Sequence, residues 1–256
     1  MAFATVQGQR LEIERIAAAR AGAPTLVFLH EGLGSITQWR DTPEAIARAT
    51  GHAALVYARQ GYGRSAPIAR PRPLSYMHDE AARLPRVLAA AGIADAILVG
   101  HSDGASIAII AAGSGAVAPR ALVLIAPHVF VEDISVASIA RAAEAYRAGP
   151  LRDALARHHA DVDGAFWGWN RAWLDPAFRA WNLERFLPHV TVPVLIVQGA
   201  ADEYGTLAQV DAIASQVGGP VETLVVAGAG HSPHRTHAAE VHARIAAFVI
   251  ARRQAP

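Results

Sequence analysis

The chain predicts an α/β fold, a mostly parallel doubly wound sheet of about eight strands with an inserted helical cap, on three observations. Apolar runs of strand length recur at residues 25–29, 53–57, 96–99, 121–125, 194–197 and 223–226. They are continuous rather than alternating, the pattern of strands covered on both faces by helices. Helical segments separate them, and the rhythm stops after Pro127 and resumes near Pro193.

The elements follow in order. Residues 3–16 predict an antiparallel pair at the sheet edge, with Gly8-Gln9 near its turn. A helix starts at Ser75, a candidate N-cap, and ends with Gly92 at C′. Pro85 inside it lacks a backbone donor, so a kink or break is expected there. The last helix, 238–252, sets Val241, Ile245, Phe248 and Val249 on one face. Residues 129–188 carry Trp167, Trp169, Trp173 and Trp181, and Asp175-Pro176 reads as an N-cap followed by proline. This stretch is expected to lie as a helical cap over the carboxyl ends of the strands, where open α/β sheets keep their sites. The organisation is then a core of 1–128 and 189–256 with a cap at 129–188.

Composition narrows the function. The 256 residues include 23 basic and 22 acidic side chains, a net charge of +1 that offers no field for nucleic acid or an acidic membrane. The absence of cysteine excludes disulfides, thiolate-bound zinc and thiol catalysis. The first ten residues lack the pattern of a secretion signal, and the apolar stretch 107–118 is interrupted by Gly113, Ser114 and Gly115. A cytoplasmic protein without a membrane partner is expected, with a homodimer left open.

Chemistry enters at Gly100-His101-Ser102-Asp103-Gly104, which directly follows the run 96–99 and precedes the small apolar stretch 105–110. A strand that ends in G-x-S-x-G and continues as a helix forces the serine onto a tight turn, with its hydroxyl above the sheet. A serine hydroxyl needs a base, and the base an orienting acid. Asp202 follows the run 194–197, and His231 follows 223–226, each at the carboxyl end of its strand. Three separate loops thus agree in order and position.

On these residues the chain resembles an α/β-hydrolase with a helical cap, of the branch containing esterases, lactonases and meta-cleavage-product hydrolases. Arg59-Gln60-Gly61-Tyr62-Gly63-Arg64-Ser65 matches that family's R-x-G-x-G-x-S loop. The resemblance implies Ser102 as nucleophile, His231 as general base and then acid, and Asp202 as the orienting acid. It also implies an oxyanion hole from the N–H groups of Asp103 and of a residue in His30-Glu31-Gly32-Leu33-Gly34, by position Gly32. Glu31 departs from the family there by replacing the first glycine of H-G-x-P or H-G-G.

Simpler readings compete. Asp133 and Glu203 rival Asp202 as the acid. His231, His234 and His237 share a segment, but nothing else supports a metal, so His234 and His237 are expected at the surface. His158 and His159 are expected to be solvated, and His101 to pack behind the elbow. Trp169 and Trp173 share a helix face and, with Glu31, are the candidate substrate contacts, although the aromatics could form only the cap's own core. Glu31 could equally be a solvated carboxylate or pair with Arg59. The expected activity is cofactor-independent, metal-free hydrolysis of a small carboxylic ester, thioester or lactone through an acyl-enzyme. The expected partner is a small-molecule acyl substrate. Carbon–carbon bond hydrolysis of a ring-cleavage product, or ligand reception on a hydrolase scaffold, are the alternatives.

Overall fold

The protein is described by a computed structural model covering residues 2–20, 22–68 and 71–252. Strands β1 (Ala2–Val6), β2 (Gln9–Ile16), β3 (Thr25–Leu29), β4 (Ala54–Tyr57), β5 (Ala96–His101), β6 (Ala121–Ile125), β7 (Val194–Gly199) and β8 (Val221–Val226) form one sheet. Their order is β1-β2-β4-β3-β5-β6-β7-β8. The pairings β1–β2 and β2–β4 are antiparallel, and every other pairing is parallel. The β1–β2 turn falls at Gln7 and Gly8, one residue earlier than expected. Both have positive φ (50° and 76°), as a two-residue hairpin turn requires.

The helices are α1 (Thr42–Thr50), α2 (Tyr76–Ala90), α3 (Asp103–Gly113), α4 (Asp133–Arg147), α5 (Pro150–Ala156), α6 (Val162–Leu174), α7 (Leu207–Gln216), α8 (Pro233–Thr236) and α9 (Ala238–Ala251). One sheet face packs Val27, Leu98 and Leu122 against Leu84 and Leu88 of α2 and Ile107 of α3. The other packs Phe28, Val99 and Val123 against Ile46 of α1 and the expected α9 stripe, Val241, Ile245, Phe248 and Val249. The central strands β5 and β6 are buried along their whole length, which is why they read as unbroken apolar runs. The edge strand β8 is covered less, and its Glu222 bonds Arg244 and Arg252.

Two local expectations are corrected. Helix α2 passes through Pro85 without a break, because Leu84, Val87 and Leu88 around the proline are anchored in the core. Ser75 does precede α2, but its hydroxyl donates to Asp79 instead of capping an N–H. Gly92 sits just past the helix at φ 67°, as foreseen. Between β6 and β7 the chain forms α4, α5, α6 and two 3-10 turns, 176–180 and 184–189. Asp175 caps the first of these by accepting from the Ala177 N–H at 2.8 Å.

Candidate active site

The turn between β5 and α3 holds Ser102 at φ 53°, ψ −119°, a conformation that costs a non-glycine residue about 1–3 kcal/mol. Its neighbours enforce it. A β-carbon on Gly104 would lie 1.9 Å from the Leu29 carbonyl oxygen, and one on Gly100 would lie 2.4 Å from the Gly104 carbonyl oxygen. The Ser102 N–H donates to the Ile125 carbonyl at 2.9 Å, and its own carbonyl accepts from the N–H groups of Ala105 and Ser106. The backbone is therefore fully engaged, while the hydroxyl takes no partner among the described residues and faces a cavity.

Asp202 and His231 meet at the same rim, at the carboxyl ends of β7 and β8. His231 Nδ1 lies 3.0 and 2.9 Å from the two Asp202 carboxylate oxygens. The carboxylate also accepts from Gln198 Nε2 at 2.8 Å and the Tyr204 N–H at 2.8 Å. Burial works to raise the Asp202 carboxyl, yet the His231 hydrogen bond and charge hold it below its ordinary value. Burial works to lower the His231 imidazole, yet the Asp202 bond and charge lift it above its ordinary value. The rivals stand elsewhere: Asp133 is exposed and paired with Arg179, and the Glu203 carboxylate accepts the His231 backbone N–H at 3.1 Å. Ser102 and the His231 ring line one cavity, and no hydrogen bond joins the two side chains.

The loop after β3 is oriented from behind. The Glu31 carbonyl accepts from the Gly34 N–H at 3.0 Å, from Arg59 Nη2 at 3.1 Å and from His30 Nδ1 at 2.7 Å. Arg59 Nη1 also donates to the His30 carbonyl at 2.7 Å. In a trans peptide the N–H points opposite the carbonyl, so fixing Glu31 C=O turns the Gly32 N–H away from Arg59. The Asp103 N–H lies in the first turn of α3, where no intrahelical acceptor exists. Its side chain is buried and accepts from Tyr76 Oη at 2.6 Å, and Tyr76 in turn accepts from Trp173 Nε1 at 3.0 Å. Burial raises the Asp103 carboxyl above its ordinary value, against the pull of Arg59.

Glu31 neither floats in solvent nor pairs its carboxylate with Arg59. Its Oε2 lies 3.3 Å from His101 Nδ1, and His101 Nε2 lies 2.8 Å from the His231 carbonyl. Burial would raise the Glu31 carboxyl, but the His101 bond and charge hold it well below the usual carboxylate range. His101 thus packs behind the elbow while tying the β3 loop to the β8 loop. His234 is buried against the rings of His101 and Trp39, not at the surface, because α8 packs on β7 and α9. His159 is not solvated either. Its Nδ1 accepts from the Gly63 N–H at 3.0 Å, and its Nε2 donates to the Leu33 carbonyl at 2.9 Å. His158 bonds Thr37 Oγ1 at 2.7 Å, and His237 lies beside Thr236 Oγ1.

The cavity, about 140 Å³, has Ser102, His231, Gly32, Glu31 and Asp103 on the strand-end side and Ile139, Trp169 and Trp173 on the α4–α6 side. It is close in size to the ~150 Å³ engineered cavity that accepts benzene. Trp169 lies directly on the β3 loop: a β-carbon on Gly32 would sit 2.1 Å from Trp169 Nε1. Phe166 packs edge-on to Trp169, Phe178 edge-on to Trp173, and Phe178 stacks on Trp181, as a small aromatic core. His128, Ser135 and Tyr204 also line the cavity and were not singled out from sequence. His128 was findable, because it follows β6 at the carboxyl rim where strand-end residues face a site.

Such an arrangement can activate a hydroxyl beside two backbone donors. Comparison with known proteins agrees with the architecture. In structure the chain is similar to proline iminopeptidase from Mycobacterium smegmatis (TM-score 0.80, 18% identity, 98% of each chain covered). It is similar to an enol-lactonase from Burkholderia xenovorans (TM-score 0.76, 18% identity, 97% of this chain and 99% of that one). An esterase from Exiguobacterium antarcticum matches at TM-score 0.75 with 16% identity, covering 96% and 98%. In sequence it is 31% identical over 279 residues to the polyketide synthase ThaQ of Burkholderia thailandensis, covering 94% of this chain but only 12% of that protein's length. The model of the alpha/beta hydrolase family matches residues 26–244, and with that span the chain belongs to the alpha/beta hydrolase family.

Proposed function

We propose that the protein is a cytoplasmic, cofactor-independent serine hydrolase that cleaves a small carboxylic ester, thioester or lactone through an acyl-enzyme. The observation that carries this reading is Ser102, held at positive φ with an unengaged hydroxyl, in the cavity that also receives the Asp202-bound His231 ring. Among the described residues no helix is long and apolar enough to cross a membrane. The helices between β6 and β7 act as the cap over the site, through Trp169, Trp173 and Ile139.

In the proposed reaction Ser102 Oγ attacks the substrate carbonyl carbon as His231 Nε2 takes its proton. The N–H groups of Gly32 and Asp103 receive the developing oxyanion, a contribution typically worth about 10²–10³ in rate per donor. Asp202 keeps the His231 proton on Nδ1 and steadies the imidazolium. Collapse breaks the acyl–oxygen or acyl–sulfur bond, and His231 returns the proton to the leaving alcohol or thiol. The same ring then deprotonates a water, which attacks the acyl-Ser102 ester, and the ring returns that proton to Ser102 Oγ as the acid is released. The similarity to a stretch of a polyketide synthase supports assaying thioesters beside oxygen esters.

Turnover of 4-nitrophenyl acetate and butyrate, with the matching thioesters, tests the reading. Multiple turnovers that vanish in Ser102→Ala are expected. A single stoichiometric burst with no second turnover would instead favour a ligand receptor.

A further inference from the structure

Most polar groups around Ser102 are committed to the protein itself. Glu31 faces His101, Ser135 Oγ donates to the Tyr204 carbonyl, and Trp173 Nε1 donates to Tyr76. Two donors are not. Trp169 Nε1 has no acceptor among the described residues, though the ring lies against Gly32 and lines the cavity. His128 is buried, lines the same cavity, and stands with its ring 5.5 Å from that of His231 and 5.3 Å from that of Trp173. Its Nδ1 is enclosed without a partner, which leaves Nε2 as the nitrogen that opens to the cavity. Burial, with the neighbouring His231 charge, pushes His128 down to about 3, so the ring is neutral at pH 7 and carries one proton. A proton on Nδ1 would be stranded, whereas one on Nε2 can reach a ligand.

Two N–H donors with no acceptor among the described residues, on a cavity whose α4–α6 side is Ile139, Trp169 and Trp173, suit an oxygen acceptor on the ligand. The cavity is small, and α4 and α6 line one side of it. In an acyl-enzyme mechanism the leaving group departs, while the acyl group stays through both steps. The volume beside Ser102 is therefore where the acyl group would lie. We infer that His128 and Trp169 are specificity residues that hydrogen-bond a hydroxyl or oxo oxygen within a few carbons of the scissile carbonyl, so that the preferred substrates are short oxygenated acyl esters or thioesters. This inference rests on the hydrolase reading above and narrows its substrate class. A neutral imidazole and an indole are neutral donors and match an uncharged acceptor.

The test uses N-acetylcysteamine thioesters of butanoate, 2-hydroxybutanoate, 3-hydroxybutanoate and 3-oxobutanoate. Each kcat/KM is divided by the rate of hydroxide-catalysed hydrolysis, to remove intrinsic reactivity. At least one oxygenated thioester should exceed butanoyl by about tenfold or more, the scale of one well-placed hydrogen bond. His128→Phe or Trp169→Phe, which keep an aromatic ring and lose the donor, should pull that ratio toward one. His128→Gln, which returns an N–H near the position of Nε2, should restore part of it. Butanoyl turned over as well as every oxygenated partner would overturn the inference, as would a ratio unchanged in both phenylalanine variants. Either result leaves the hydrolase reading intact, whereas no turnover of any ester or thioester, with no labelling of Ser102, would remove both.

Discussion

The strand-end loops and the helices that cover them form two walls of one cavity, and they are specified by different physics. On the strand-end wall, position is dictated by backbone. Gly104 passes the Leu29 carbonyl where no β-carbon fits, the Glu31 carbonyl is gripped by three donors, and the Ser102 N–H is fixed to Ile125. On the helical wall, position is dictated by side chains packing on side chains, as in the ring contacts of Trp173 with His128, Phe178 and Trp181. The first wall tolerates almost no change of shape. The second can change its lining while keeping its fold, which suits a site where bond-breaking is fixed and substrate choice varies.

This contrast ranks the effects of substitution. Ser102→Ala should cost about four to six orders of magnitude in kcat, measured on a turned-over ester, while thermal unfolding moves little. On the same wall, Gly104→Ala should lose more than about 3 kcal/mol of stability or fail to fold, read by denaturant unfolding, since strand and helix backbones must separate. Asp202→Asn should lower kcat by about 10⁴, whereas Asp133→Asn on the exposed α4 end should leave it unchanged. Activity lost in Asp133→Asn and kept in Asp202→Asn would reverse the assignment of the acid.

Protonation sharpens the comparison further. In the proposed reaction His231 acts as a base only when neutral, and its partner lifts its pKa above the ordinary value near 6.5. The kcat/KM profile should therefore fall on the acid side, with its midpoint above about 6.5, and Asp202→Asn should shift that midpoint downward. The same lift means that the stabilisation His231 gains from its partner is complete below the unfolded value and lost as pH rises through the folded one. On the helical wall the smallest change is expected: Trp173→Phe, which removes the hydrogen bond to Tyr76, should raise KM several-fold with kcat nearly kept.

The same division governs what could be read from sequence. Buried parallel strands leave unbroken apolar runs, and the tight turn leaves its glycines. Ser102, Asp202 and His231 were therefore visible as strand-end residues, and the structure brings Asp202 and His231 into contact. The packing of His101 behind the elbow was visible, but its ties to two loops, and the roles of His128, His159 and His234, were not. Each depends on which ring nitrogen meets which distant loop, as when His159 reaches both Gly63 and Leu33 across the fold. No local pattern encodes such a contact. Glu31 shows both limits: its departure from the glycine pattern was plain, but its pairing with His101 lies 70 positions away.

The central claim is that one hydroxyl, at residue 102, is the nucleophile. Labelling with a fluorophosphonate, followed by peptide mass mapping, tests it most directly. One adduct per chain on Ser102 is predicted, formed far more slowly in His231→Ala. An adduct on another residue, or a Ser102 that labels as fast without His231 as with it, would contradict the account.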